Sequence, residues 1–442
     1  MAETTGTNAP AGRASTSRSN TSIVAGARTP FARSGTVFRD LTAIDLGKQA
    51  VRDALARAGV APPDVDHLIY GTVVHDVRAP NIAREVGLGT LPPAVPAVTV
   101  SRACTSANQA IADGAALIEL GQAEVVVAGG AESLSNVPIL AGDRLAKALV
   151  AASKAKSVSA RFAAFKGLRP KHLAPVSPAI AEPTTGETMG EAAERMAKQN
   201  GISREDQDAW ALRSHERAAA GTEDGRLTDE IVTVYVPPAY DEVVESDNGI
   251  RTDTSLEALS GLKPAFDRKF GSVTAGNASP LTDGASALVL MNGERARAEG
   301  RTPLGWIRSW AWTALDPGEQ LLQGPAYAAP IALDRAGLTM KDIGLMEMHE
   351  AFASQVLSNL QALDSKTFAE EELGRSEATG HPDLERINVM GGSIAIGHPF
   401  GATGGRVTLT LLNEMARRDV EFGLITVCAA GGMACAMVVE RR

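Results

Sequence analysis

Two apolar runs constrain this chain more than any other part of it. VVVAGGAES (125–133) and LITVCAAGGMACAMVV (424–439) are too apolar for strands with one face in water, and each carries a glycine pair. Such runs suit strands buried on both faces, and a sheet buried that way needs helices above and below it. The flanking sequence provides them. In LTAIDLGKQAVRDALARAGV, Leu41, Ile44, Leu46, Ala50, Val51 and Leu55 recur at close to helical spacing. SANQAIADGAALIELG reads as a second helix, ended by Gly121. SIVAGARTPFARSG, DHLIYGTVV and AVTVSRAC contain strands, and NIAREVGLG is a short helix. This alternation predicts an α/β fold with a mainly parallel sheet.

The pattern breaks between about residues 134 and 265, where the chain turns charged, Pro-rich and irregular. It resumes from GSVTAGNAS to the C-terminus. Two α/β halves follow, 21–292 and 293–442, the first carrying an inserted loop domain at about 134–265. Each half has a strand, a loop with a Cys or His, and then a helix, so a duplicated fold is expected. Residues 1–20 read as a disordered tail. They lack the apolar core of a secretory signal, and Arg13 and Arg18 among serines only faintly suggest an organellar transit peptide.

Composition excludes several functions. Three cysteines in 442 residues make no disulfide framework, so a reactive thiol here works in a reducing compartment. A net charge of -9 and 4% aromatic residues argue against nucleic-acid binding. No apolar run reaches membrane-spanning length. Metal-ligand spacings are absent, so no metal or prosthetic group is expected.

Four loops carry candidate chemistry. Cys104 ends the strand AVTVSRA and precedes a helix, whose N-terminal dipole and free N–H groups would favour a thiolate. His398 sits between Gly397 and Pro399 in GGSIAIGHPFGATGGR, where glycine admits a ligand and proline stiffens the turn. This is no phosphate loop, because it lacks the Lys-Ser/Thr ending. Cys428 enters a loop at Gly431–Gly432 whose backbone N–H groups can converge on an oxyanion. His349 and Glu350 open a helix in MHEAFASQ. All four lie where strands end, which is where ligands bind in open α/β sheets.

With these motifs in hand, the chain resembles the thiolase family. SRACTSANQAI, GSVTAGNASPLTDGA, MHEAFA, NVMGGSIAIGHPFGATGGR and CAAGGMACAMVVE occur in the family's order, and the resemblance covers 22–442. The resemblance implies the thiolase fold, two duplicated α/β halves packed as α-β-α-β-α layers. His349 before Glu-Ala-Phe resembles the thiolase (β) subunit of the fatty-acid β-oxidation trifunctional complex, since many thiolases have Asn there. Ala434 departs from the family, which often has Gly at that place.

The resemblance further implies thiolytic cleavage of 3-ketoacyl-CoA by CoA, with Cys104 as nucleophile, His398 as its base and Cys428 as acid and base. His398 and His349 would hold the enolate oxygen, and the amides of Cys104 and Ala430 the acyl-enzyme oxyanion. Met189, His215, Ala275, Gly276 and Ser279 resemble contacts to substrate or CoA, although a solvated place for His215 is an even alternative. CoA and acyl-CoA are substrates, with no cofactor. A homodimer or larger oligomer, a hydratase/dehydrogenase α subunit as partner, and a cytoplasmic location are expected, with the mitochondrial matrix as the alternative. Cys435 reads as core, and His67, His75, His172 and His381 receive no function.

Three rival functions remain at this stage. A biosynthetic acetyl-CoA acetyltransferase would use the same residues. A non-catalytic acyl-CoA or sterol-binding relative would have lost a catalytic Cys or His. A ketosynthase would lack the second thiol. A further feature is the stretch 144–171, with eight Lys and Arg, no acid, and interleaved apolar residues. It could cover CoA phosphates, dock a partner subunit, contact an anionic membrane surface, or be a solvated helical face.

Overall fold

The structure is a computed structural model that describes residues 19–176 and 181–442. Residues 1–18 of the expected disordered tail lie outside the described residues. Nine strands build the main sheet: β1 (Thr21–Arg28), β2 (His67–Gly71), β3 (Ala97–Val100), β4 (Val125–Glu132), β5 (Thr282–Asn292), β6 (Gly305–Ala314), β7 (Leu345–Met348), β8 (Phe422–Ala429) and β9 (Met433–Glu440). Their order is β7-β8-β9-β6-β1-β5-β4-β2-β3, and a two-residue strand, Ala32–Arg33, pairs with β5 off this path.

The order contains one unit twice. In the first half β1 and β5 pair antiparallel, β5 and β4 antiparallel, and β4 and β2 parallel. In the second half β6, β9, β8 and β7 repeat that sequence of pairings. The two units meet where Ser22 pairs with Trp306 and Ile23 with Gly305. The sheet is therefore mixed, which corrects the expectation of a mainly parallel one. The cause is local. β8 reaches β9 through a hairpin turn at Ala430–Gly432, where Gly431 and Gly432 have φ of 79° and 68°. β5 returns from the long excursion that follows Glu132 and enters antiparallel to β4.

The longer helices are α1 (Ala43–Ala58), α2 (Ser106–Glu119), α3 (Asp143–Lys154), α4 (Met189–Gln199), α5 (Arg204–Glu223), α6 (Gly324–Ala336), α7 (Ala353–Asp364) and α8 (Thr403–Arg418). α1 is framed by a Thr42–Asp45 capping box and by Gly59 in the left-handed conformation. It covers β1, β4 and β5 on one outer face, and α6 covers β6, β8 and β9 on the other. α2 and α8 touch each other between the two halves of the sheet. Three apolar cores fill the gaps: Leu46, Val51 and Val127 under α1; Ile111, Leu288, Val407 and Ile425 around the central helices; Leu333, Met346 and Val356 under α6. This is the α-β-α-β-α layering of the thiolase fold.

Between Glu132 and Thr282 the chain leaves the sheet. α4 and α5, capped by Thr188 and Ser203, pack on α7 and bring this excursion against the second half. GSVTAGNAS, expected to resume the alternation, is not a sheet strand. It bends at 275–277, where Asn277 Oδ1 accepts from Thr274 N, and is held by bridges from Thr274 to Pro264 and from Ala278 to Phe352. The basic stretch folds as α3 and the short helix Val158–Ala163. Ala148 is the one buried residue of α3, and Leu149, Val150, Val158 and Phe162 are exposed. Among the described residues no helix is long and apolar enough to cross a membrane.

Candidate active site

Cys104 stands in a tight turn between β3 and α2. Ala103 before it has φ of 45°, a left-handed conformation that alanine adopts only under strain of roughly 1–2 kcal/mol. Side chains tie the turn down. Ser106 Oγ donates to Ala103 O at 2.6 Å and accepts from Arg102 N at 2.8 Å, while Thr105 Oγ1 donates to Arg102 O at 2.7 Å. The result lifts the thiol out of the helix start. The backbone N–H groups of Ala430 and of Cys104 itself both reach its Sγ.

His398 comes from the turn before α8, and its Nε2 lies 3.1 Å from Cys104 Sγ. Its Nδ1 lies 2.6 Å from Thr403 Oγ1, whose own proton goes to Pro399 O at 3.1 Å. Thr403 must therefore accept from Nδ1–H, which leaves the Nε2 lone pair for the thiol proton. Burial and then the charge of Arg406 lower the His398 pKa from 6.5 to about 3. Burial also pushes the Cys104 thiol well above its ordinary range, against the pull of the two backbone N–H groups. Cys104 keeps some contact with solvent, which works the other way. Desolvation thus opposes the thiolate expected from the helix dipole.

His349 is fully buried, with ring centroid 4.1 Å from that of His398. Burial, His398 and Arg406 hold its pKa well below 6.5. Its neighbour Glu350 is a clasp. It accepts from Trp210 Nε1 and Ser214 Oγ on α5, from Asn388 Nδ2, and from Ile394 N. Glu350 thus fixes the His349 turn against both the excursion and the His398 loop. Cys428 ends β8, is buried, and has its pKa pushed far up by burial and then by Cys104. In its hairpin turn Glu182 takes the N–H of Gly431 at 2.5 Å, which leaves the Ala430 N–H for the sulfur. Ala434, the departure from the family, is accommodated because it faces Gly324, where a Cβ would come within 2.5 Å.

The remaining expected residues divide. Ala275 and Ser279 line a surface cavity of ≈ 370 Å³ together with Arg33, Ser34 and Pro280. Gly276 turns away from it and packs under Leu259 and Leu262. Met189 joins the apolar cluster that contains Cys428. His215 is buried and accepts from Arg251 N at 3.2 Å, so the solvated alternative is wrong. Burial, and then Arg251 and Arg33, lower its pKa to about 4. Cys435 is core, as expected.

Four contributors escaped the sequence reading. Ser393, Thr403 and Arg406 lie inside GGSIAIGHPFGATGGR, where only His398 was singled out. Glu182 carries no sequence signal at all. The donor atoms of Cys104, His349 and His398 lie within 4.8 Å of one another, close enough to consider a metal ion. The hydrogen bonds already aim the His398 lone pair at the thiol proton instead.

The arrangement can add a thiol to a carbonyl, hold two oxyanions and move protons through a second thiol. Profiles of the thiolase N-terminal and C-terminal domains match residues 21–294 and 301–441. The chain belongs to the thiolase family. The 3-ketoacyl-CoA thiolases of Yersinia enterocolitica and Yersinia pestis are each 51% identical to it over 419 residues, covering 95% of this chain and 96% of theirs. Among solved thiolases, the Bacillus anthracis acetyl-CoA acetyltransferase superposes with a TM-score of 0.82 at 34% identity, covering 96% of this chain and 100% of that one. Human mitochondrial 3-ketoacyl-CoA thiolase gives 0.80 at 32%, covering 95% and 98%.

Proposed function

We propose that this enzyme cleaves 3-ketoacyl-CoA with CoA, giving acetyl-CoA and a shortened acyl-CoA. The observation that carries the reading is the 3.1 Å contact of His398 Nε2 with a Cys104 sulfur that already faces two backbone N–H groups. Cys104 Sγ attacks the 3-keto carbon and passes its proton to His398. The C2–C3 bond breaks, and its electron pair forms the acetyl-CoA enolate. His398, now carrying the proton on Nε2, and His349 hold the enolate oxygen. One such donor contributes roughly 3–4 kcal/mol. Cys428 gives its proton to C2, and acetyl-CoA leaves. The Cys428 thiolate then takes the proton of incoming CoA, whose sulfur attacks the acyl-Cys104 carbonyl. The amides of Cys104 and Ala430 hold that oxyanion until the shortened acyl-CoA departs. The His398 proton returns to Cys104. No metal takes part, since the imidazole already does the work of activating the thiol.

CoA enters past Ala275 and Ser279, where small side chains let a slender arm run close to backbone. Arg33, whose buried Nε has no partner among the described residues, suits the anionic end of CoA. The enzyme works as a homodimer or larger. Ala97–Val100 is one of the two edge strands of the sheet and, unlike the buried Leu345–Met348 at the other edge, has no buried residue, which supports pairing with a second copy. The stretch 144–171 docks a hydratase/dehydrogenase partner subunit, a reading supported by exposed apolar residues among uncompensated cations. The reaction belongs to the cytoplasm, where both thiols stay reduced. The test is a thiolysis assay across acyl-chain lengths with wild type and Cys104→Ala. Cleavage by wild type and none by the variant is expected. Retained cleavage by Cys104→Ala would falsify the nucleophile.

A further inference from the structure

We propose that Ser393 and Arg406 are positioning residues that hold His349 as a hydrogen-bond donor toward the reacting centre. The hydrogen bonds favour it. A guanidinium only donates, and Arg406 Nη2 lies 2.8 Å from Ser393 Oγ. That oxygen accepts from Arg406, so its own proton must go elsewhere. Its other partner among the described residues is His349 Nδ1, at 2.9 Å. Only an accepting Nδ1 gives the buried hydroxyl proton a partner among the described residues, and a neutral His349 then carries its proton on Nε2. That Nε2 is buried and makes no hydrogen bond among the described residues.

The two histidines thus stand side by side as opposite tautomers. His398 turns a lone pair to Cys104, set by Thr403. His349 offers an N–H, set by Ser393. Arg406 is itself fixed, fully buried with Nη1 3.2 Å from Glu347 Oε2. Its charge also opposes protonation of either imidazole. A metal ion at the trio would need a lone pair where His349 presents a proton. The inference rests on the proposed reaction only for the use of the donor, an enolate oxygen.

Two measurements on the full-length enzyme test it. The ¹⁵N shifts of the histidine rings report each tautomer directly. His349 should be Nε2–H in wild type and lose that preference in Ser393→Ala. An Nδ1–H wild type overturns the proposal. Kinetically, Ser393→Ala should slow solvent-deuterium exchange into the methyl group of acetyl-CoA, which needs the enolate. The loss should be about 10-fold to 100-fold, less than the roughly 100-fold to 1,000-fold lost with an oxyanion donor itself. Exchange of labelled CoA into acetyl-CoA passes through acyl-Cys104 without an enolate and should hold steady. Ser393→Thr, which keeps the hydroxyl, should restore the deuterium exchange. Equal slowing of both exchanges would show a general structural defect and defeat the proposal. A wild type that cleaves no 3-ketoacyl-CoA would instead defeat the proposed function, while the tautomer is still read from the ¹⁵N shifts.

Discussion

Gly130 on β4 and Gly401 in the His398 loop meet backbone to backbone. A Cβ on Gly130 would be driven into the carbonyl oxygen of Gly401. The contact joins a strand of the first half to the loop that carries the base of the second. Glu132, two residues on, reinforces it by accepting the N–H of Gly401 at 3.0 Å while also binding Val73 N and Val74 N. The place of the His398 loop against the first half is therefore set by this glycine pair and by Glu132.

Gly130→Ala should push the His398 loop away from Cys104. Overpacking of this kind costs about 1–3 kcal/mol. Thermal unfolding should show that loss, and thiolytic turnover should fall further than the stability loss explains. Gly121→Ala is the control: Gly121 has φ of 67° with nothing near its Cβ position. It should cost about 1 kcal/mol of stability from conformation alone and leave turnover intact. Equal turnover in the two variants would separate Gly130 from the placement of His398.

The buried histidines make the fold acid-sensitive in a defined direction. The folded-state pKa of His398 is about 3 against an ordinary 6.5, and His349 is also depressed. Between those values the unfolded chain binds more protons than the native one. Their contribution is therefore present above pH 6.5 and lost as the pH falls from there toward 3. Urea midpoints at pH 7.5, 6 and 5 should decline in that order, and His398→Asn should flatten the decline. The acid limb of kcat/KM should show no inflection near 6.5 from His398. Thr403→Val, which frees the imidazole to change tautomer, should lower kcat by about 10-fold or more while leaving KM near wild type, a loss within the range of general-base catalysis.

The basic stretch should be separable from catalysis. Reversing Lys154, Lys156, Arg161 and Lys166 to Glu leaves every residue of the site untouched. Soluble thiolysis should stay within about twofold, the size of surface effects, while co-purification of the hydratase/dehydrogenase subunit is lost. Retained co-purification would sink the docking assignment, and lost binding to anionic vesicles with the partner still bound would point to a membrane role.

The α/β class, the duplication and the four candidate side chains were legible in the sequence because each rests on local pattern, while the layering came from the family resemblance. Apolar runs mark β4 and β8, and Cys104, His349 and Cys428 punctuate strand ends, whereas His398, expected at a strand end too, follows the short helix Ser393–Ile396 instead. Strand direction was not legible. β5 enters antiparallel because of where a long excursion returns it, and no residue of TDGASALVLMN records that. Burial of His215 was hidden too, since α5 is charged along its length and buries residues such as Trp210, Ser214 and His215 through tertiary contacts alone. The burial that opposes a Cys104 thiolate was hidden for the same reason: a helix start is visible in sequence, but the desolvation comes from distant loops. Ser393, Thr403 and Arg406 were within a quoted motif. Their roles depend on which lone pairs their neighbours leave free.

Cys428 offers the sharpest division between chemistry and architecture. It is buried and flanked by the hairpin turn whose Ala430 N–H reaches Cys104. Replacing its sulfur with oxygen changes little in shape but moves the acidity far from what proton transfer to carbon needs. Cys428→Ser should therefore fold with wild-type stability and keep Cys104 open to alkylation by iodoacetamide, because the His398 contact survives. Thiolytic turnover should fall about 100-fold to 10,000-fold, the range lost with a general acid or base. A variant that alkylates normally and turns over normally would remove Cys428 from the mechanism. One that fails in both would mean that the thiol supports the site through packing alone.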